Sequence, residues 1–102
     1  MTFPSGISLC EVAPNTLTVI GRLVIVFVSI KMVNLTSGGK SITNYIPANM
    51  RPSGNVGMSA GTGNADGKLQ PVTLRPDGTL SIYPVVTGTT TYAQGSVVYA
   101  LG

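Results

Sequence analysis

Three acidic side chains are available for proton transfer in this 102-residue chain: Glu11, Asp66 and Asp77. Glycoside hydrolysis takes two carboxyl groups that flank the scissile bond, one as acid and one as base or nucleophile. Asp77 lies in "RPDGT", where Pro76 presets the first turn dihedral, Asp77 accepts the second and Gly78 takes positive φ, so it reads as a turn former. Asp66 lies in "NADG", again built of turn formers. Glu11 and Asp66 are thus a poor basis for a catalytic pair. Cys10, the single thiol, has no histidine to activate it or to join it on a zinc ion. It sits among apolar residues at strand spacing in "GISLCEVA" and reads as a buried thiol, with no second cysteine for an internal disulfide. "GMSAGTGNADGK" lacks the Gly-Lys-Ser/Thr ending and the following helix of a phosphate loop. The chain is therefore expected to be no enzyme and to hold no cofactor and no metal.

Binding asks for less. A saccharide site needs a flat apolar ring with polar groups around it, and the sequence has Tyr45, Tyr83, Tyr92 and Tyr99 for the ring. Arg51, Asn64, Asp66, Gln70 and Gln94 are the polar candidates. Each tyrosine reads more readily as a partly buried ring with its hydroxyl at the rim. Arg51 reads more readily as a surface cation or a structural tie of "MRPSG".

Composition narrows the partners. Charged residues make up 9% of the chain, against an ordinary quarter or so, while 43% is hydrophobic, so the surface must be Ser, Thr, Asn, Gly and Gln. Net charge is +3, but Arg22, Lys31, Lys40, Arg51, Lys68 and Arg75 are scattered, with no basic stripe interleaved with stacking aromatics. No nucleic acid is expected as a partner. "MTFPSGISLCEV" lacks the charged start and continuous apolar core of a secretory signal.

The elements that must position these side chains centre on "RLVIVFVSIKMV", residues 22–33. Between Arg22 and Lys31 lie eight residues, too few for the roughly 20 of a membrane helix, so no membrane insertion is expected. β-branched Val24, Ile25, Val26, Val28 and Ile30, with no capping residue ahead of them, favour a strand. One face, Val24, Val26, Val28, Ile30 and Met32, is wholly apolar. The other, Leu23, Ile25, Phe27, Ser29 and Lys31, is apolar for three positions and then polar. A two-sheet domain with a wet outer side does not account for that second face, which calls for cover by another subunit or by the chain's own N-terminal segment. Short strands fill the rest: "GISLCEVA", a turn at "APN", "TLTVI", a Gly-Gly loop at "LTSGGKS", "SITNYI", and an extended connection through "PANMRPSG". A Gly-rich exposed tip at "AGTGNADG", a hairpin turning at "RPDGT", a Thr-rich loop after Pro84 and a terminal strand in "GSVVYALG" complete a single domain over 1–102. The sum is an all-β fold, a small antiparallel β-barrel or jelly-roll-like sandwich of about eight strands.

Taken in order, "GRLVIVFVSIKM", the proline-bearing "YIPANMRPSG", the hairpin "VTLRPDGTLSIYP" and the terminal "GSVVYALG" resemble the C-terminal head or tip domains of bacteriophage tail fibres and baseplate receptor-binding proteins. The likeness spans about residues 6 to 102 and lies in the order of degenerate motifs. It implies a homotrimer in the virion, at the tail tip or baseplate, that binds host cell-surface polysaccharide without catalysis and contacts other phage tail proteins. It also implies that the chain is the head of a longer fibre protein, behind a stem. No sugar-binding motif of that family is matched. By position, the proline segment and Gly-rich loops are expected to hold saccharide, with Arg51, Asn64, Asp66 and Tyr92 foremost. Two rivals share the fold: a structural trimerising cap of a fibre or baseplate, and a protein-binding trimeric head like those of complement.

Overall fold

The computed structural model describes residues 1–10, 15–36, 38–62 and 69–101. The Gly-rich tip, with Asn64 and Asp66, and the turn at 11–14, with Glu11, lie outside the described residues. Eight strands, all paired antiparallel, run in chain order as β1 (Ile7–Leu9), β2 (Thr16–Ile20), β3 (Leu23–Val33), β4 (Lys40–Ile42), β5 (Val56–Thr62), β6 (Leu69–Leu74), β7 (Leu80–Ile82) and β8 (Thr90–Ala100). The one helical element among the described residues is a 3₁₀ turn at Ala48–Met50, inside the proline segment read as extended. It follows Pro47, whose fixed φ suits the start of such a turn.

The strand order is β1-β3-β8-β5-β6-β7-β4, with β2 also on β3. The sheet curls into a half-barrel around the wholly apolar face of β3. Val24, Val26, Val28, Ile30 and Met32 are fully buried there, with Ile42, Ile46, Leu74, Leu80 and Ile82 from the opposite wall. β3 pairs with β8 along its whole length, from Leu23↔Ala100 to Val33↔Thr90. "TTTY" is thus strand and not loop: Thr is β-branched, and Thr90 and Thr91 continue the ladder to the end of β3.

The other edge of β3 is shared. β2 lines its first half and β1 its second, with Thr16↔Phe27 and Leu9↔Ile30 bounding a break at Val28 and Ser29, where Cys10 N donates to Ser29 O at 3.1 Å. Asn15 fills that gap with its side chain. Its Oδ1 accepts from Ser29 N at 2.8 Å, its Nδ2 donates to Ser29 O, and the buried Tyr45 hydroxyl donates to the same Oδ1. One amide side chain thus stands in for a missing residue of strand backbone.

The curl nearly closes. Thr2 exchanges two backbone hydrogen bonds of 3.1 Å with Thr43, just beyond β4, so the N-terminal residues link the β1 side of the sheet to its far edge. Between β8 and β5 the ladder is short, with pairing only at Gly61↔Gln94 and Thr62↔Ala93. Beyond that, Met58 and Ala60 crowd Gly95, where a Cβ would lie 2.7 Å from Met58 Cε.

The expected hairpin at "RPDGT" joins β6 to β7 through Leu74↔Leu80. Gly78 has φ +85° and donates to Arg75 O at 2.9 Å, and Asp77 Oδ1 accepts from Thr79 N at 2.9 Å. The inward positions of β6 are Gln70, Val72 and Leu74, with Leu69 outside.

Candidate functional site

Of the side chains anticipated to hold saccharide, Arg51 and Tyr92 are among the described residues and belong to different parts of the chain. Arg51 follows the 3₁₀ turn, and its half-buried guanidinium is engaged within the fold. Nε donates to Ile46 O at 3.0 Å and Nη2 to Asn44 Oδ1 at 3.2 Å. Asn44 needs such support, because it holds a left-handed backbone with φ 53°. The "RPDGT" turn lies underneath: Gly78 O accepts from Tyr45 N and Ile46 N at 2.8 and 3.0 Å, and a Cβ on Gly78 would run into Arg51 Nε. Arg51 therefore ties the proline segment to the hairpin turn. Its field and that of Arg75 add to the two Thr79 hydrogen bonds that hold the Asp77 carboxyl below the usual carboxylate range.

Tyr92 stands on β8 opposite Lys31, on the outer face of the β1-β3-β8 wall, and is half-buried. Next to it along the strand, Gln94 Nε2 donates to Ser29 Oγ at 3.3 Å and faces Cys10 Sγ at 4.0 Å. Cys10 is buried, as its flanks suggested. Arg51 and Tyr92 are not joined by any hydrogen bond or strand pair. Among the described residues no group of three His, Cys, Asp or Glu side chains could hold a metal ion.

The second face of β3 carries the most telling surface. Leu23 and Val98 are 47% and 53% exposed, beside Ile20 at 61%, while Ile25 and Phe27 are half-buried. Cross-strand registers place Ile20, Leu23 and Ala100 in one row and Thr18, Ile25 and Val98 in the next. β1 and β2 flank β3 in the sheet, beside this face and not over it.

The other tyrosines divide by burial. Tyr45 and Tyr99 are core residues whose hydroxyls donate to Asn15 Oδ1 and Met50 O, and burial pushes both phenols up in pKa. Tyr83 is 67% exposed. Its neighbour in the fold is Gln70, fully buried, which donates from Nε2 to Tyr83 O at 2.9 Å and to Pro71 O at 2.8 Å and accepts from Val85 N at 3.0 Å. Sequence reasoning set Gln70 among polar surface candidates. Its spacing of two and four from Val72 and Leu74, which puts it on the inward phase of β6, is the available sign of a structural role.

No protein-family model matches this chain, and no curated protein matches it at a significant level.

Proposed function

We propose that the chain is a subunit of a homotrimeric, non-catalytic receptor-binding head of a bacteriophage tail fibre or baseplate, which recognises polysaccharide on the host cell surface. The observation that carries this reading is the uncovered apolar row on the outer face of β3 and β8. Leu23, Ile25, Phe27, Val98 and Ile20 form a contiguous apolar surface on a chain poor in charge, and such a surface marks a contact between macromolecules. The order of the four sequence motifs supplies the saccharide and the virion.

Light scattering tests the assembly. The chain has a mass of 10.5 kDa, and the expected particle is three times that. Phe27→Asp puts a charge on the outer face and is expected to yield a folded monomer. A parent chain that is monomeric at tens of micromolar would overturn the trimer. Adsorption to host cell walls then separates a receptor-binding head from a structural cap, which would bind no polysaccharide.

A further inference from the structure

We infer that the outer face around Tyr83 is a saccharide platform, on which an uncharged hexopyranose lays its C–H face against the tyrosine ring; this rests on the saccharide reading above and gives it a location. Tyr83 follows β7, two positions beyond Ser81, and strand alternation puts it on the outer side, away from fully buried Ile82. Exposed tyrosines are ordinary, but this one is held from two directions. Gln70 fixes the backbone on both sides of it, through Tyr83 O and Val85 N. Below the ring, Gly39 offers bare backbone: a Cβ there would lie 3.1 Å from Tyr83 Cε1 and 3.2 Å from Cζ. Gly39 is not in the left-handed region, so its lack of a side chain makes room for the ring and does not serve a turn. A flat, exposed ring whose main chain is already immobile loses little entropy on binding.

Polar groups are placed to read the hydroxyls of such a ring. Register sets Ser41 against Ser81 and Ser81 against Thr73 in one row across β4, β7 and β6. Ser41 is exposed, Thr73 half-buried and Ser81 buried between them, so that Ser41 and Thr73 offer the hydroxyls and Ser81 anchors its neighbours. Ser41 Oγ and Ser81 Oγ lie 3.4 Å apart, and Arg75 Nε donates to Ser81 Oγ at 2.8 Å. This row is about 7 Å from Tyr83 along the strand, an interval one sugar residue bridges. Exposed Pro71, paired with Ser59, adds low apolar surface on the same side. One aromatic ring, small hydroxyl side chains and an oriented guanidinium make a flat surface with few bulky obstacles. This is the opposite of the apolar β3 face, so the two faces of the molecule suit different partners.

The test uses the whole chain with a panel of neutral methyl hexopyranosides and their N-acetylated counterparts, read by saturation transfer and by backbone amide shifts. Shifts at Gly39, Ser41, Thr73 and Tyr83 are expected. Tyr83→Ala should weaken binding about tenfold and Tyr83→Phe by no more than about threefold, because the ring and not the hydroxyl makes the contact. Gly39→Ala, which tilts the ring while leaving it present, should weaken binding about threefold to fivefold. Unchanged binding by Tyr83→Ala, or shifts centred on Tyr92 or Arg51, would overturn the platform and leave the saccharide reading standing. A chain that takes up none of the sugars would remove both.

Discussion

Asn15 and Thr91 represent opposite treatments of a buried polar atom. Asn15 satisfies both backbone groups of Ser29 and the Tyr45 hydroxyl, whereas Thr91 Oγ1 is buried with no partner. Leaving a buried hydroxyl unpaired costs about 1–3 kcal/mol, so Thr91→Val, nearly the same shape, should raise stability by about 1 kcal/mol in urea denaturation. Tyr45→Phe should do the reverse, by about 1 kcal/mol, through loss of its bond to Asn15. It should also change the alkaline limb. Burial raises the folded-state pKa of Tyr45 above the ordinary value near 10, so stability is fully present below pH 10 and falls as pH climbs toward the folded value. A denaturant midpoint followed above pH 10 should fall less steeply in Tyr45→Phe than in the parent. Asp77 has the opposite sign: its folded pKa is lowered, so its contribution is present above the ordinary carboxylate range and is lost as pH falls through the folded value. Because Arg51 holds Ile46 O and Asn44, Arg51→Ala should lower the melting temperature, and any change in adsorption must be read against that loss.

Among the elements, β3 is the most legible. The period-two pattern of Val24 to Met32 named the buried face of β3 residue by residue, because five β-branched or long apolar side chains in alternation admit one phase. The Asp-Gly turn of β6 and β7 was legible for a local reason, since Pro76, Asp77 and Gly78 each set a dihedral. Gln70 was misread because a buried glutamine is recognisable only through the backbone groups it meets, and those belong to residues 71, 83 and 85. Thr90 and Thr91 were read as loop because Thr serves loops and strands alike, and only the length of β3 decides. Of the four side chains expected to hold saccharide, Arg51 and Tyr92 lie on separate elements, and Asn64 and Asp66 lie outside the described residues. The two faces of β3 also separate two substitutions: Val26→Asp introduces a charge at a fully buried position and should prevent folding, while Phe27→Asp should leave a folded chain of smaller mass. Circular dichroism beside light scattering distinguishes them.

At the scale of the molecule, neighbours in space are remote in the chain. Leu23 meets Ala100, and Thr2 meets Thr43. None of this closure was legible, because two backbone hydrogen bonds between threonines leave no trace in composition or periodicity. Thr43→Pro removes the donor to Thr2 O and should unlatch the N-terminal residues; the predicted signature is faster amide exchange at Thr2 with little change in the β3 ladder. The pairing of β3 with β8 carries a consequence for synthesis. β3, the most apolar strand, is synthesised well before its full-length partner β8, so the nascent polypeptide holds "LVIVFV" without its ladder until β8 has cleared the exit tunnel. Such a chain depends on shielding of that segment while it waits. Deleting β8 would yield aggregates and not a slightly shortened domain.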